Sequence, residues 1–435
     1  MNTLFKLLVT ITLALIISLF VIFNQGISPR FNQHIKSSKQ DSPRTEINSV
    51  GRLYMNLTKH DEEQKHIVSG NNTLRQVDGH SSWKQDELRK LSYVIQQRLY
   101  FLQNPPDCTK AKKIVCTFKK TSGFGSKVHH LSFCMLMAYG SGRTLILESG
   151  EGWAYFKEGW DKCFRPFSET CLHGTGETTA FNKWPIPDGN ESIQVVELPL
   201  IVKFMETNEK PVFLPWAVPE DISERLRRVH SKPHIWWIGQ IITYILKPQP
   251  QTQSLIDNKT TALGFAHPIV GIHVRRTDKL VREATYHGIE EYMDHVKKYY
   301  QELEKRKAVS VRRVFLATDE VGLLYEAQNK YPDYLFVSDN NISQSANVSL
   351  RRSEESLMGI IVDLHLLARS DFLVCTCSSN ICRLAYEMMQ HSNLDASKKL
   401  HCVDRRYYWH GENIKLKTAK MPVYEGAENF HLHGV

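Results

Sequence analysis

The sequence predicts an α/β fold with an open parallel sheet in its C-terminal half, preceded by a single transmembrane helix and a stem. Three observations predict it. Strand-like and helix-like segments alternate from residue 267 onward, which is the pattern of parallel strands joined by crossover helices. A strand–loop–helix–strand pattern occupies residues 113–148. An uncharged apolar run, Leu7–Phe23, precedes a polar stretch with little apolar periodicity.

Composition places the chain among ordinary globular proteins. Of its 435 residues, 42% are hydrophobic and 23% are charged, while 23 Gly and 17 Pro are too few for a collagen or a low-complexity chain. The length favours two or three domains, each large enough for a core. Lys and Arg (55) exceed Asp and Glu (46), which gives a net charge of +9. An excess of this size is typical of a solvated basic surface and does not by itself indicate a nucleic-acid partner.

The N-terminal apolar run favours a membrane anchor. It follows Lys6, and its length is close to the roughly 20 residues that span a bilayer. A cleaved signal peptide is the alternative, but its apolar region is usually about 7–15 residues and ends at small residues. Here Asn24-Gln25-Gly26 follows instead, so we favour an uncleaved signal-anchor. The predicted order is a cytoplasmic tail (1–6), the anchor (7–23), a lumenal stem (24–84), and two domains (85–266 and 267–435).

The sequons and cysteines agree with a lumenal body. Six N-x-[ST] sequons predict glycans on loops, at Asn56, Asn71, Asn190, Asn258, Asn341 and Asn347. The nine cysteines form two groups, within residues 108–171 and 375–402. Either disulfides or metal ligands cluster in this way, and a lumenal compartment favours disulfides. The spacing of Cys375, Cys377 and Cys382 fits no common zinc site, and a Cys375–Cys382 bridge is simpler.

Hydrophobic spacing predicts the individual elements. The first helix runs from Gln85 to a breaker at Asn104-Pro105-Pro106. Strands are predicted at residues 113–118, 143–148, 193–198, 269–274, 314–317, 335–337, 372–375 and, weakly, 400–403. Further helices are predicted at residues 129–139, 219–230, 235–246, 289–305, 323–329, 357–368 and 381–390, with a loop at 121–126.

The densest cluster of candidate site residues lies in residues 271–279, where the first strand of the second sheet ends. Ligands of open parallel sheets bind beyond the carboxyl ends of the strands. Strand side chains alternate, so His273 and Arg275 should share one side while Arg276 takes the other. Guanidinium groups are forked, permanently charged donors that match phosphate oxygens, which predicts a pyrophosphate site. A buried Arg–carboxylate network that pins the loop is the alternative.

The loop after these arginines carries groups suited to proton transfer. Asp278 and Glu283 belong to one loop, and a carboxylate whose pKa is tuned by burial can take a proton from a sugar hydroxyl. Lys279 could hold an acidic partner or stabilise charge on a leaving group. Solvated loop charges are the alternative for each of the three.

Polar residues also follow the other strands. Residues 318–320 and 338–340 carry acids that suit ribose hydroxyls or cap the next helix. Residues 375–379 end a strand and open a helix, where backbone N–H groups form an anion site and Ser378 and Ser379 add hydroxyls; a plain N-cap serine is the alternative. The sequence has no G-x-G-x-x-G after a strand, no Walker loop, no G-x-S-x-G and no Asp-x-Asp. Arginine, rather than a metal, is therefore the expected partner of a diphosphate.

These segments resemble the eukaryotic α1,6-fucosyltransferases of glycosyltransferase family 23, which add fucose to the innermost N-acetylglucosamine of N-glycans. The similarity runs from about Gln85 to Tyr408. It includes H-V-R-R-T-D-K (273–279) with Glu283, H-G-I-E-E-Y-M-D-H-V (287–296), L-A-T-D (316–319), D-F-L-V-C-T-C-S-S-N-I-C-R-L-A-Y-E-M-M-Q (371–390), N-P-P-D-C (104–108), R-T-L-I-L-E-S (143–149), F-R-P-F-S-E-T-C (164–171) and Q-V-V-E-L-P (194–199).

The resemblance implies a type II Golgi membrane protein with a GT-B-like body. Its first α/β domain would face the acceptor, and its second, Rossmann-like domain would bind GDP-fucose. GDP-fucose is the implied donor substrate, no metal or other cofactor is expected, and the anomeric centre is inverted. The implied acceptor is an N-glycan on a glycoprotein, and no nucleic acid is involved. A homodimer stays open, because the long coiled-coil stem of the family is shortened here.

The resemblance also assigns residues. Glu283 is implied as the base for the acceptor 6-hydroxyl, with Lys279 and Asp278 beside it as further catalytic residues. The implied donor-binding residues are His273 and Asp363 for guanine, Arg275 for the β-phosphate, and Arg276, Tyr292, Asp319, Ser378 and Ser379 around them. The implied disulfides are Cys108–Cys171, Cys116–Cys134 and Cys375–Cys382, which leaves Cys163, Cys377 and Cys402 unmatched.

The chain departs from the family pattern in places. Ser122 and Ser126 stand where the family has two cysteines, Lys203 stands at an acidic acceptor contact, and Asn380 replaces a Gln. A C-terminal Src-homology-3-like domain is expected to be missing, either naturally or through a truncated gene model. Donor binding is thus better supported than acceptor choice. The alternatives are an inactive donor-binding homologue, a regulator, or a fucosyltransferase with a different acceptor.

Overall fold

The structure is a computed structural model. It describes residues 80–423 except for 119–121, 151–152, 177–180, 185–192, 207–210, 212, 215–216, 277–284, 347–348, 393–394 and 410–417. The predicted tail, anchor and most of the predicted stem lie outside the described residues. Among the residues that are described, no helix combines the length and the apolar character needed to cross a bilayer.

The N-terminal half is built around a parallel sheet with the strand order β2-β1-β4-β3. The register places Val115 of the central strand beside Ile146 and Glu197. The elements in chain order are α1 (His80–Gln103), β1 (Lys113–Thr117), α2 (Phe124–Ser141), β2 (Thr144–Glu148), β3 (Phe181–Lys183), β4 (Val195–Glu197), α3 (Ile201–Met205), β5 (Val218–Pro219), α4 (Glu220–Val229), α5 (Pro233–Ile245) and α6 (Pro250–Ala262).

The C-terminal half contains a second parallel sheet, with the order β10-β9-β6-β7-β8. Its elements are β6 (Ile269–Val274), α7 (Ile289–Glu304), β7 (Arg312–Thr318), α8 (Leu323–Lys330), β8 (Tyr334–Val337), α9 (Asn340–Ser345), α10 (Glu354–Arg369), β9 (Phe372–Cys375), α11 (Asn380–Ser392) and β10 (Leu400–Cys402), followed by β11 (Thr418–Ala419) paired with β5. The α/β fold with parallel sheets is therefore confirmed. Because the strands run parallel, their carboxyl ends meet at one edge.

Most predicted elements match the structure, but helix α1 begins at His80, within the predicted stem and before the predicted start at Gln85, and helices α3 and α9 fall where no helix is predicted. Helix α2 begins at Phe124, inside the predicted loop 121–126, and Gly123 is its N-cap residue. Helix α6 falls where no element is predicted, because its fully buried residues are Thr252 and Ile256, which leaves no apolar stripe. The strands β3, β5 and β11 are too short, at two or three residues each, to show an alternating pattern.

Two sequons lie in helices rather than in loops. Asn258 is within α6 and Asn341 is in α9, and both are exposed. The prediction that the sequons lie on loops is wrong for these two. The helical pattern was weak at both places, because Asn and Thr are poor helix formers and α9 has six residues. Asn56, Asn71, Asn190 and Asn347 lie outside the described residues.

Helix α2 is central to the packing and is buried on nearly every face from Phe124 to Tyr139. A helix that is buried all round needs partners for its polar groups. His129 of α2 lies with its Nε2 3.1 Å from the Glu387 carboxylate on α11, and the Tyr407 hydroxyl donates to the same carboxylate at 2.7 Å. This buried polar contact joins a helix of the first sheet to a helix of the second.

Eight of the nine cysteines, all within the described part of the chain, form disulfides. Three of the pairs are those that the resemblance implies: Cys108–Cys171, Cys116–Cys134 and Cys375–Cys382. The fourth, Cys377–Cys402, joins two cysteines that the resemblance leaves unmatched. Cys163 stays a buried free thiol. The clustered cysteines are therefore disulfide partners.

A buried histidine on α2 makes the fold sensitive to acid. The Nε2 of His130 is 2.9 Å from the Thr117 carbonyl oxygen, and its Nδ1 is 3.3 Å from the backbone nitrogen of Ile201. Nε2 therefore carries the hydrogen, and Nδ1 accepts from the Ile201 N–H. Burial lowers the pKa of His130 to about 4, although the bond to Thr117 opposes that shift. The neutral imidazole is the form that fits.

Acidification from pH 7 to pH 5 is expected to reduce the free energy of unfolding by about 2 kcal/mol at this site. The unfolded-state pKa, near 6.5, lies above the folded-state value, so the unfolded chain binds more protons in this window. The stabilisation is present above about pH 6.5 and is lost as the pH falls toward 4. Urea denaturation at both pH values measures it. The His130→Gln variant should show a smaller pH difference, and an equal difference would contradict the assignment to His130.

Candidate functional site

The carboxyl edge of the second sheet brings several predicted site residues together. His273 lies on the fully buried strand β6, with Ala317 of β7 and Cys375 of β9 as its partners in register. The residues that follow these three strands are therefore neighbours. They are the arginine pair 275–276, the acids 319–320 and the turn 376–379.

Asp319 contacts both arginines. Its Oδ2 pairs with Nη1 of Arg275, and its Oδ1 accepts the backbone N–H of Arg276 at 2.9 Å. The Asp319 side chain is 4% exposed, whereas the Arg275 side chain is 21% exposed. Asp319 thus lies inside the edge and fixes Arg275, whose side chain keeps a solvent-facing part for an anion.

Arg276 is held by its surroundings. Its Nε and Nη2 donate to the carbonyl oxygen of His287 at 3.0 and 2.8 Å, and its Nη1 donates to Glu320 at 2.8 Å. The ring of Tyr286 lies 4.5 Å from the guanidinium carbon. The side chain is 4% exposed. Arg276 therefore holds residues 286–287 at the sheet edge.

The structure thus contains the Arg–carboxylate network that was the alternative for this segment. Strand β6 ends at Val274, so both arginines lie just beyond the strand. Asp319 holds Arg275 and Arg276 rather than capping the next helix, whose N-cap residue is Gly322. Such a network fixes a guanidinium in one orientation, which is compatible with binding a phosphate by its exposed face.

Asp339, the acid that follows β8, is hydrogen-bonded to other groups of the protein. Asp339 is the N-cap residue of α9 and accepts the backbone N–H of Asn341 at 3.0 Å. Lys259 also donates to it, at 2.6 Å. For residues 338–340 the helix-cap alternative is therefore the one observed.

The turn 376–379 holds an anion that the chain itself supplies. The carboxylate of Asp404 accepts the backbone N–H of Cys377 at 2.7 Å and that of Ser378 at 3.0 Å. It also accepts the N–H of Arg405, at 2.7 Å. Burial alone would raise the pKa of Asp404, but the Ser378 hydroxyl and these N–H groups lower it below its usual value. In the structure the backbone N–H groups of the turn that were predicted to bind an anion thus donate to a carboxylate of the chain itself.

Two further predicted donor residues lie on helices behind the edge. Tyr292, on α7, is buried, and burial raises the pKa of its hydroxyl, with the nearby Arg276 opposing and Asp404 adding to the shift. Thr376, in the turn, is close enough to the Tyr292 hydroxyl to oppose the rise of its pKa as well. Asp363, on α10, lies near Asp339, and burial followed by that neighbour raises its pKa well above the usual value. Tyr292 therefore belongs to the turn, and Asp363 lies toward β8.

The three predicted catalytic residues lie outside the described residues. They are Asp278, Lys279 and Glu283, in the stretch 277–284. Arg276, which precedes this stretch, donates to the carbonyl oxygen of His287, which follows it.

The N-terminus of α2 meets that of α11 near this edge. A Cβ placed on Gly125 would lie 2.7 Å from the Asn380 Cβ, so the contact requires glycine. The Asn380 side-chain oxygen is 3.0 Å from Nδ1 of His129. Lys127 donates to the carbonyl and hydroxyl oxygens of Ser122 at 2.7 and 3.2 Å, and burial, followed by the nearby Arg352, lowers its pKa to about 8.

Some site residues escape prediction from the sequence. Asp404 is the clearest, because its N–H partners lie 26 and 27 positions earlier in the chain. One signal could have found it: an acid that follows β10, the parallel neighbour of β9, must lie at the same edge. His287 acts through its backbone carbonyl, which no side-chain pattern shows.

Comparisons with known proteins address the origin of this arrangement. Residues 25–408 match the family model described as alpha-(1,6)-fucosyltransferase N- and catalytic domains. The chain is 44% identical over 352 residues to an alpha-(1,6)-fucosyltransferase of Drosophila melanogaster, covering 81% of this chain and 55% of that protein. It is 34% identical over 335 residues to an alpha-(1,6)-fucosyltransferase of Caenorhabditis elegans, covering 75% and 59%. The chain thus spans little more than half the length of these relatives.

Solved structures resemble the chain more distantly. Fucosyltransferase NodZ from Bradyrhizobium has a TM-score of 0.37 at 15% identity, covering 63% of this chain and 92% of that chain. A mutant of Arabidopsis thaliana FUT1 in complex with GDP has a TM-score of 0.40 at 14% identity, covering 72% of this chain and 77% of that chain. Family membership rests instead on the sequence match, which includes the arginine edge and the turn 376–379. The chain belongs to the family of alpha-(1,6)-fucosyltransferase N- and catalytic domains.

Proposed function

We propose that the chain transfers fucose from GDP-fucose to the 6-hydroxyl of the innermost N-acetylglucosamine of N-glycans, as an inverting enzyme with a GT-B-like body. Family membership over residues 25–408 supports this activity. The observation that carries the proposal is the orientation of Arg275 by the buried Asp319, at the carboxyl edge of a parallel sheet. A fixed guanidinium at this edge suits the diphosphate of a sugar nucleotide.

In this proposal the reaction is a single displacement. The 6-hydroxyl oxygen of the acceptor attacks the anomeric carbon of fucose and forms the new C–O bond on the opposite face. The bond from that carbon to the β-phosphate oxygen breaks, and GDP leaves with the electron pair. Glu283 takes the hydroxyl proton, with Lys279 and Asp278 beside it. The Arg275 guanidinium stabilises the negative charge that grows on the β-phosphate.

We propose further contacts to GDP-fucose at the same edge of the sheet. His273 and Asp363 are proposed to contact guanine, and Tyr292, Ser378 and Ser379 to complete the pocket. No metal is proposed in the reaction, because the sequence lacks an Asp-x-Asp pair and places arginines where a diphosphate would lie.

We also propose that residues 7–23 anchor the chain as a type II protein of the Golgi membrane, with the body in the lumen. The apolar run and the six sequons support this placement. The acceptor would then be a glycoprotein N-glycan in that compartment. The four disulfides are compatible with an oxidising lumen.

The test is a transfer assay with GDP-fucose and an N-glycan that ends in N-acetylglucosamine. We expect fucose on the innermost residue, identified by linkage analysis of the product. A matched acceptor whose innermost 6-hydroxyl is replaced by hydrogen should accept nothing. Transfer to another position would indicate a different acceptor specificity. Calorimetric binding of GDP without turnover would identify a donor-binding homologue or regulator, and absence of both would contradict the proposal.

A further inference from the structure

We propose that Asp404 is a positioning residue of the donor site, whose carboxylate holds the turn 376–379 and thereby places Ser378 and Ser379. The inference deepens the proposed function and rests on it for the identity of the ligand. It assigns to Asp404 a role in GDP binding through the turn, without contact between Asp404 and the nucleotide.

The contacts of Asp404 carry the inference. Its two carboxylate oxygens accept three backbone N–H groups, those of Cys377, Ser378 and Arg405. The turn bonded to it begins directly after Cys375 and ends where α11 begins, and its Ser379 N–H donates to the Thr376 carbonyl at 2.9 Å. Hydrogen bonds to an ionised acceptor are shorter and stronger than neutral ones. One carboxylate therefore fixes the backbone that carries both serines.

Covalent and strand contacts keep Asp404 in place. The Cys377–Cys402 disulfide joins the turn to the last residue of β10, two positions before Asp404. The Val403 N–H donates to the Cys375 carbonyl at 3.0 Å, which continues the pairing of β10 with β9. A carboxylate held in this way cannot leave its N–H partners unless β10 also moves. Asp404 is consequently a fixed part of the site.

The alternative role for such a carboxylate is that of a competitor for the phosphates. Backbone N–H groups at a strand–helix turn attract phosphates as well as carboxylates. If Asp404 filled a phosphate position and had to leave when GDP binds, its removal would strengthen GDP binding. If it positions the turn, its removal weakens GDP binding. The sign of the change separates the two roles.

Repulsion between the Asp404 carboxylate and a bound diphosphate is expected to be weak, because neighbouring groups compensate the negative charge of Asp404. Three N–H groups face it, and Nε of Arg405 lies 3.9 Å from Oδ2. Its side chain is 12% exposed, so solvent also contributes screening. Long-range repulsion of a diphosphate is therefore weak compared with the loss of three charge-assisted hydrogen bonds.

The experiment compares the Asp404→Asn variant with wild type by calorimetric GDP binding and by GDP-fucose kinetics. The amide keeps the size of the side chain and one acceptor oxygen, but it removes the negative charge, and its NH2 group takes the place of the other oxygen and faces a backbone N–H donor. We expect GDP affinity to fall about tenfold and the KM for GDP-fucose to rise by a similar factor, with kcat within about threefold of wild type. A uniform loss of folded enzyme would lower kcat and leave KM unchanged.

The matched control is Asp395→Asn. Asp395 also accepts backbone N–H groups, those of Ser231 at 3.0 Å and Ser397 at 3.1 Å, and it lies outside the strand-end turns. This variant should bind GDP as wild type does. A second variant, with Cys377 and Cys402 both changed to Ser, should weaken GDP binding in the same direction and by less than Asp404→Asn.

Amide hydrogen exchange tests the role of Asp404 in holding the turn independently of GDP binding. The Cys377 and Ser378 amides should exchange slowly in wild type and at least tenfold faster in Asp404→Asn. If wild type binds no GDP, the proposed function fails, and the exchange rates still judge the role of Asp404. Tighter GDP binding by Asp404→Asn, unchanged affinity, or unchanged protection of the two amides would overturn the inference.

Discussion

Replacing Glu387 with alanine is expected to lower the free energy of unfolding by about 3–5 kcal/mol, because it removes a buried acceptor and leaves two buried polar groups unsatisfied, each at a cost of about 1–3 kcal/mol. Glu387 and His129 have side chains that are 0% and 1% exposed. Loss of the carboxylate leaves the His129 Nε2 and the Tyr407 hydroxyl without their acceptor, at 3.1 and 2.7 Å. It also opens a cavity between α2 and α11, which adds to the loss.

Urea denaturation at pH 7 measures this change. The Glu387→Gln variant, which keeps an acceptor oxygen for Tyr407, should lose less than Glu387→Ala. The matched control is Glu224→Ala, which removes an exposed partner of Arg228 on α4 and should change the free energy of unfolding by less than about 0.5 kcal/mol. A loss below about 1 kcal/mol for Glu387→Ala would show that the contact is not a main joint between the two sheets.

Replacing Arg275 with alanine is expected to reduce kcat/KM for GDP-fucose by about 10²–10³-fold, the usual effect of removing one donor from a site that stabilises growing charge. Asp319 holds this guanidinium in place before any ligand arrives, so its orientation need not be found during binding. Arg275→Lys should recover little, because an ammonium cannot both pair with Asp319 and present a forked donor to a phosphate.

Steady-state kinetics with GDP-fucose and calorimetry with GDP measure the effect. The matched control is Arg312→Ala. Arg312 binds the Glu304 carboxylate through Nε and Nη2 at 2.7 and 2.8 Å, but it begins β7 and so lies at the opposite edge of the same sheet. That variant should keep wild-type kinetics. Undiminished transfer by Arg275→Ala would count against both the donor site and the proposed activity.

The strands of the second sheet could be predicted because burial determines their sequences. All six residues of β6 are buried and four of them are Ile or Val, so the strand stands out as a largely apolar run before the arginines 275–276. The structure extends the predicted strand at 314–317 to Arg312–Thr318, because strand pairing continues past the fully buried residues. Helix α6 was unpredictable for the opposite reason, since most of its residues face solvent or are half-buried.

The sequence predicts the residues of the candidate site only where they directly follow a predicted strand. The arginines and Asp319 follow consecutive parallel neighbours, so their meeting at one edge follows from topology. Which acid binds a ligand and which binds the protein does not follow from it. Asp319 holds the arginines and Asp339 caps α9, although both follow a strand in the same way. The difference depends on tertiary contacts, which the neighbouring residues in the sequence do not reveal.

The lone thiol has a practical consequence. Cys163 is fully buried beside Met358, and burial, followed by the Glu354 charge, raises its pKa to about 12, so almost no thiolate exists at neutral pH. Because thiolate is the reactive form and the other eight cysteines are bridged, a thiol reagent finds nothing to modify in the folded chain. Each molecule that does react has opened around Cys163. The oxidised protein thus carries its own stoichiometric reporter of local unfolding, with one signal per chain and no engineered label.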